Sequence, residues 1–348
     1  MCEFCHQHGE GKKWYLTMKN YSQELLAQDG RQEFNAQFLK NIEELVVKSL
    51  AKLDQWSIHP LLYRYLQPYV LRIQKRDHFG QIVPIEDVDR IIDMQDSIVR
   101  LPCVCRSLTT GQKVRYCFGI GAHPDGSLAN YPEYAEGLEV LSKEAAKQMM
   151  HEFDKQGLVH SIWTFKTPFI GGVCNCDQDC LAYRTEVKAR LTQTMFRAEY
   201  FATVNWDLCT GCKRCVSQCQ FGAIQFSYTH NKANIEFNQC YGCGVCRAVC
   251  THEAIALKPR TDTFSFRPIF EKKHKPKITV NPELCKNALE CRVCLDRCPQ
   301  KVFGTYPATK REFGKRAVDW TVAPIFSSQC TQCMDCVSFC PKQAISIH

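Results

Sequence analysis

The chain has 348 residues, of which 45% are hydrophobic and 23% charged, the balance of an ordinary soluble protein of two or three domains. No run approaches the ~18 uninterrupted apolar residues of a membrane span, and Met1-Cys2-Glu3-Phe4-Cys5-His6 lacks a basic segment followed by an apolar one; neither membrane insertion nor export is expected, and 24 cysteines without an export signal point to metal sites in a reducing cytoplasm. The formal net charge of +8 raises nucleic acid as a partner, but no basic face with interleaved aromatics accompanies it, so none is expected.

In chain order, Cys2-Glu3-Phe4-Cys5-His6 spells the attachment motif of c-type haem, which a chain that is not exported cannot use. Cys2 and Cys5, with His6 or His8 nearby, read instead as metal ligands, with packing of Trp14, Tyr15 and Leu16 an equal means of holding this end in place. Phe34, Phe38, Ile42, Leu45, Leu50 and Leu53 recur at helical spacing. Val88, Ile91, Ile92 and Ile98 mark a second helix, introduced by Pro84 with Glu86 and Asp87 in its first turn. A third is capped by Ser142, carries Glu144 at its positive end and Ala146, Met149, Met150 and Phe153 on its inner face, and ends at Gly157. Leu158 to Phe165 reads as a strand. Residues 1–200 are therefore expected to form an α+β, mostly helical, Cys-rich domain.

Six more cysteines fall in that half: Cys103, Cys105 and Cys117, then Cys174, Cys176 and Cys180. The last three lie close enough on one loop to hold one metal centre, and either Cys103 or Cys105 could close it. Buried unmetallated thiols and zinc are the alternatives.

The C-terminal half carries a repeat. Cys209, Cys212, Cys215 and Cys219 are spaced by two, two and three residues, and Cys240, Cys243, Cys246 and Cys250 repeat that spacing. Cys330, Cys333, Cys336 and Cys340 do so again, while in Cys285, Cys291, Cys294 and Cys298 five residues, Lys286 to Glu290, separate the first two. Thiolates spaced by two residues let one tight loop wrap three corners of an iron–sulfur cubane. Structural zinc prefers two separated Cys-x-x-Cys knuckles, and disulfides between such close neighbours would be strained. Each loop is followed by a short apolar strand: Ala223-Ile224-Gln225-Phe226, Ala254-Ile255-Ala256-Leu257, Val302-Phe303 and Ala344-Ile345-Ser346-Ile347.

These runs resemble the bacterial-type ferredoxins, whose fold holds two [4Fe-4S] clusters and whose last Cys of each run crosses to the other cluster. The resemblance implies four ligand sets: Cys209, Cys212, Cys215 and Cys250; Cys240, Cys243, Cys246 and Cys219; Cys285, Cys291, Cys294 and Cys340; Cys330, Cys333, Cys336 and Cys298. The Pro that usually follows the fourth Cys is replaced by Gln220 and Thr251 in the first pair, and the insertion after Cys285 leaves open a three-Cys cluster with an open iron. Residues 85 to 185, with Leu101-Pro102-Cys103-Val104-Cys105-Arg106 and Gly171-Gly172-Val173-Cys174-Asn175-Cys176, resemble a Cys-rich domain that precedes ferredoxin modules in anaerobe iron–sulfur proteins, which implies iron–sulfur association without a known reaction. The eight N-terminal cysteines would suffice for a fifth and a sixth cluster.

The expected organisation is a Cys-rich domain over 1–200, a dicluster module over 201–260, a basic linker over 261–278 containing Lys272-Lys273-His274-Lys275-Pro276-Lys277, and a second dicluster module over 279–348. The basic run reads first as solvated and second as a docking patch for an acidic partner. Sixteen ligating thiolates and four oxidised cores together carry about −8, which offsets the formal charge. Phe118-Gly119-Ile120-Gly121 lacks the third glycine of a dinucleotide site and no Walker loop occurs, so neither flavin, nicotinamide nor nucleotide is indicated. No catalytic residues are recognised. The expected function is a subunit of a cytoplasmic, anaerobic oxidoreductase complex that relays single electrons between other redox subunits, a donor and an acceptor. A catalytic subunit with a site-differentiated cluster in the N-terminal domain and a redox or oxygen sensor are the alternatives.

Overall fold

A computed structural model describes residues 13–38, 60–110, 114–121, 138–188, 192–260, 276–299, 302–308, 319–324, 327 and 330–348. Cys2, Cys5, His6, His8, most of the basic run and the helical pattern from Ile42 to Leu53 lie outside the described residues.

A seven-stranded sheet organises the N-terminal half: β1 (Gly80–Ile82), β2 (Ile98–Leu101), β3 (Cys117–Ile120), β4 (Glu139–Val140), β5 (Val159–Thr164), β6 (Ile170–Cys176) and β7 (Met195–Phe196), in the order β4-β2-β3-β6-β5-β1-β7. All neighbours are antiparallel except β1 and β7. Among the described residues, the longer helices that accompany it are α1 (Pro60–Asp77), α2 (Ile85–Asp93), α3 (Val104–Thr110) and α4 (Lys143–Gln156). The sequence pattern showed one of the seven strands. Of the others, β1, β2, β3, β4 and β7 are two to four residues long, too short for a clear period-two alternation to emerge, and β6, with seven, carries Gly171-Gly172 in place of an alternation. Ile98, read as the end of the second helix, begins β2 opposite Ile120; the helix stops at Asp93 with Met94 as its cap.

The local signals for α2 and α4 act as their chemistry dictates. Pro84 occupies the N-cap of α2 with extended backbone, and Ile85, Val88, Ile91 and Ile92 bury one face, the i, i+3, i+7 stripe of a packed helix. Ser142 accepts from the Ala145 N–H at 3.1 Å, and left-handed Gly157 closes α4. Ala146, Met150 and Phe153 of α4 join the α2 stripe, Trp14, Tyr15, Phe118 and Ile162 in one core on the sheet.

The C-terminal half consists of two similar four-stranded units. In the first, β8 (Tyr200–Val204) pairs with β11 (Ile255–Pro259) and β9 (Ile224–Ser227) with β10 (Lys232–Ile235). In the second, β12 (Ile278–Val280) pairs with β15 (Ile345–Ile347) and β13 (Phe303–Pro307) with β14 (Trp320–Pro324). The outer pair and the inner hairpin thus recur in the same chain order.

Asp87, fully buried on α2, ties the first unit to the N-terminal half. Its carboxylate accepts from Tyr15 at 2.7 Å and from Tyr200 of β8 at 3.2 Å, with Lys13 at 3.6 Å and Arg90 at 3.7 Å. Burial and the adjacent carboxylate raise the Tyr15 phenol, which keeps it a donor. Removing the carboxylate strands two phenols and a cation, a loss of about 3–5 kcal/mol. Asp87→Ala is expected to lower the thermal midpoint by several degrees, measured by far-UV circular dichroism under anaerobic conditions, and an unchanged midpoint would refute this role.

Candidate metal centres

Each cysteine loop is shaped by left-handed backbone at fixed places. The residue before the second cysteine has positive φ at Gly211, Gly242 and Gln332, and the residue after it does so at Lys213, Gly244, Arg292 and Met334. These kinks curl the loop so that successive sulfurs turn to one side. Beyond each fourth cysteine the amide four residues on donates to its sulfur: Ala223 to Cys219, Ala254 to Cys250, Val302 to Cys298 and Ala344 to Cys340, all at 3.3 Å. Donors aimed at sulfur stabilise negative charge there.

The sulfurs gather across the halves of each unit. The Cys215 thiol is pushed up to about 11 by burial and then by Cys209, Cys212 and Cys250, and those four line one cavity. Cys246 is raised by burial and then by Cys243, Cys240 and Cys219. In the second unit Cys294 is pushed up to about 12 by burial and then by Cys285, Cys291 and Cys340. Cys336 reaches about 12 through burial and then Cys298, Cys333 and Cys330, and these four line another cavity. In every set the fourth cysteine comes from the opposite loop.

Cys285 occupies the same frame as Cys209 despite the insertion. Asn205 and Asn281 each receive the incoming strand, with N–H bonds to Ala254 O at 2.7 Å and Ala344 O at 2.8 Å. Each side-chain oxygen then accepts from the amide two residues on at 2.9 Å, and each carbonyl accepts from the cysteine amide. The longer spacing, five residues where the other loops have two, is absorbed by left-handed Asn287 and a single helical turn, Ala288–Cys291.

Two buried arginines, not singled out by the sequence pattern, stand beside these sulfurs. Arg297 is sandwiched between the rings of Trp206 at 3.8 Å and Phe339 at 3.4 Å, where the first unit meets the second. Arg260 donates to the carbonyls of Ala198 at 2.9 Å and Cys240 at 2.7 Å. Burial pushes both guanidinium groups down to about 10.

Gln220 explains the missing proline. Its side-chain amide donates to the carbonyls of Gly157 and Cys176, and its own carbonyl accepts from Tyr183. A proline has no side-chain donor and could not make this bridge. Beside it, Tyr241 stacks on Phe221 at 3.9 Å and donates to half-buried Glu186, which also accepts from the amides of Thr194 and Met195. Burial raises the Glu186 carboxyl, opposed by those donors.

The six described cysteines of the N-terminal half also come together, lining one cavity whose walls include His78 and Trp163. Cys117 lies opposite Cys174 in the β3·β6 register, with sulfurs 3.5 Å apart, and Cys180 lies 3.1 Å from Cys176. The sequence pattern singled out all six but could not join Cys117 to Cys174, because that contact is set by strand register. Among the described residues no three His, Cys, Asp or Glu side chains stand at the spacing of a single metal ion. Two of the C-terminal sets surround cavities, whereas the N-terminal sulfurs come into direct contact in pairs.

Burial opposes ionisation of these thiols, so a cationic core is what would hold them as thiolates. Four thiols around a cavity, with amides directed at sulfur, fit an iron–sulfur cage.

Residues 208–255 match the model of the 4Fe-4S dicluster domain. Indolepyruvate oxidoreductase subunit IorA of Pyrococcus abyssi is 29% identical over 141 residues, covering 38% of this chain and 21% of the relative. Archaeal-type glutamate synthase [NADPH] of Thermotoga maritima is 36% identical over 61 residues, covering 18% and 12%. A component of the ion-translocating oxidoreductase complex of Methanosarcina acetivorans is 42% identical over 50 residues, covering 14% and 18%. The chain thus spans about a fifth or less of the length of these relatives. The matches support an iron–sulfur, electron-transfer role with at least two [4Fe-4S] clusters.

Gly242 gives this geometry a sharp test. Its φ is +71°, and a Cβ there would collide with the carbonyl oxygen of Tyr200. Gly242→Ala is expected to prevent assembly at Cys240, Cys243, Cys246 and Cys219, with a loss of about four irons per chain by colorimetric assay. Unchanged iron content would refute the requirement for that backbone.

Proposed function

We propose that this chain is an iron–sulfur electron-transfer subunit of a cytoplasmic, anaerobic oxidoreductase complex, with two dicluster modules over 201–260 and 279–348. Four [4Fe-4S] clusters are held by Cys209, Cys212, Cys215 and Cys250; by Cys240, Cys243, Cys246 and Cys219; by Cys285, Cys291, Cys294 and Cys340; and by Cys330, Cys333, Cys336 and Cys298. The observation that carries this reading is the fourfold repetition of one sulfur grouping, each completed from the opposite loop. The names of the relatives, two of which are oxidoreductase subunits, support a place among other redox proteins that act as donor and acceptor.

Such clusters supply one-electron exchange without bond making. The protein's part is to set the environment of that exchange. The four amides on Cys219, Cys250, Cys298 and Cys340 favour the more negative state, as do the buried cations Arg260 and Arg297. Cys212 is exposed, which offers a partner close approach at one edge and leaves that centre open to oxygen; the anaerobic setting rests on this. No helix among the described residues is long and apolar enough to cross a membrane.

Iron and acid-labile sulfide in anaerobically purified protein are expected to reach at least about 16 of each per chain; zinc or an empty, colourless protein would overturn the proposal. Arg297→Met keeps the bulk but removes the cation between the aromatic rings. It is expected to lower the reduction potential of at least one cluster by tens of millivolts at unchanged iron content, read by redox titration with electron paramagnetic resonance. Identical titration curves would exclude a tuning role.

A further inference from the structure

We infer that Asp154 and His160 form a buried proton-binding site beside the sulfurs of Cys240, Cys243, Cys246 and Cys219, and that reduction of the cluster those sulfurs hold draws one proton from solvent onto the pair. This rests on the relay reading, which supplies the electron.

A chain of hydrogen bonds fixes the tautomer of His160. The residue lies opposite Asn175 in the β5·β6 register and is fully buried. The Asn175 side-chain amide donates to the Tyr116 carbonyl at 2.8 Å, which turns its oxygen toward the imidazole, 2.6 Å from Nδ1. Nδ1 therefore carries the hydrogen, and in the neutral ring Nε2 is a bare acceptor. It faces Oδ1 of Asp154, in the last turn of α4, at 3.8 Å. Both atoms are buried and neither has a hydrogen-bond partner. Two acceptors that face each other out of water are satisfied by one proton between them, and a closure of about 0.6 Å turns the contact into a hydrogen bond.

Without that proton the pair carries one negative charge, and with it none. The surrounding charges are largely engaged elsewhere. Arg247, on the short helix Val245–Ala248 that packs against α4, faces Asp154 but is paired with Glu86 of α2. On α4 itself, His151 pairs with Asp89 of α2 at 3.0 Å and Lys147 with Asp93 at 2.6 Å. From β5 comes His160 itself, and from β6 come Asn175 and, on either side of it, Cys174 and Cys176. Burial is the largest influence on both members. It pushes the Asp154 carboxyl up to about 6 and the His160 ring down to about 4, so the proton resides on the carboxyl and exchanges close to neutral pH.

The sulfurs of the first module feel this charge. The Cys243 thiol is raised by burial first and then, among its neighbours, by Cys240, Cys219 and Asp154. An electron added to the cluster brings one more negative charge, which an ionised Asp154 opposes and a protonated one does not. Reduction thus raises the proton affinity of the pair, and by reciprocity a bound proton raises the potential. One electron enters the cluster from the donor and one proton enters the pair from solvent, with no bond made or broken at sulfur. The Asp154 side chain keeps 11% exposure, enough contact with water for the proton to enter.

The test is a potentiometric titration of the intact, anaerobically prepared chain, followed by electron paramagnetic resonance over about pH 5.5 to 8.5. One centre is expected to fall in potential as pH rises, by up to about 59 mV per unit, the value of a tenfold change in proton concentration for one electron. The slope levels off at low pH, where the pair is protonated in both redox states, and at high pH, where it is protonated in neither. In Asp154→Asn, whose amide donates to Nε2 without titrating, the slope is expected to vanish at unchanged iron content. In His160→Gln it is expected to move to lower pH, because an amide donor facing Asp154 favours the charged carboxylate. Potentials independent of pH in the wild type, a slope that survives in Asp154→Asn, or an unaltered titration of His160→Gln overturns the proton site. If Asp154→Asn fails to fold, the wild-type slope and the His160→Gln shift decide the matter. Failure of the relay reading is distinct, since a chain without clusters shows no potentials to titrate.

Discussion

Burial of sulfur is the constraint on which this structure depends. The cysteine thiols of the two C-terminal units sit where desolvation opposes their ionisation, strongly at Cys243, Cys246, Cys294 and Cys336, yet each of these stands among other thiols. Grouped buried thiols resist ionisation, and thiolates formed side by side would repel one another. A cationic cage at their centre resolves both difficulties, and the apolar shells that include Cys215, Cys240 and Cys246, and Cys298 and Cys336, are then the walls of a cofactor chamber.

The same constraint accounts for the backbone. A loop can present three sulfurs to one side only by passing through left-handed conformations, and it does so at equivalent places in each repeat. Glycine takes these positions where a carbonyl crowds in, as at Gly211 and Gly242. Where space allows, Lys213, Arg292, Gln332 and Met334 adopt the strained region at a cost that the surrounding loop sustains.

The N-terminal half is joined to the first unit by polar contacts with buried or half-buried partners. Asp87 receives Tyr200, Glu186 receives Tyr241, and Gln220 reaches Gly157 and Cys176. Stranding any of these groups on separation would be costly, so the two parts are held at a fixed spacing. A fixed spacing is what exchange of electrons between buried centres requires, and it sets the N-terminal cysteines Cys176 and Cys180 in one apolar cluster with Cys243.

The sequence by itself determined whatever depends on near neighbours along the chain. The Cys-x-x-Cys-x-x-Cys runs, the Ser142 and Gly157 ends of α4, the Pro84 start of α2 and the short strand after each loop are local events, governed by backbone sterics and hydrogen bonds within a few residues. The frame before Cys285 is also local, because the Asn281 turn closes on the amide two residues on. The tertiary structure alone decided the seven-stranded sheet, of whose strands only β5 stood out as a pattern. It also decided the place of Arg297 between Trp206 and Phe339, the role of Gln220, and the meeting of Cys117 with Cys174 across β3 and β6. Those contacts join residues far apart in the chain, and their register is set by packing of the whole core, which no local pattern encodes.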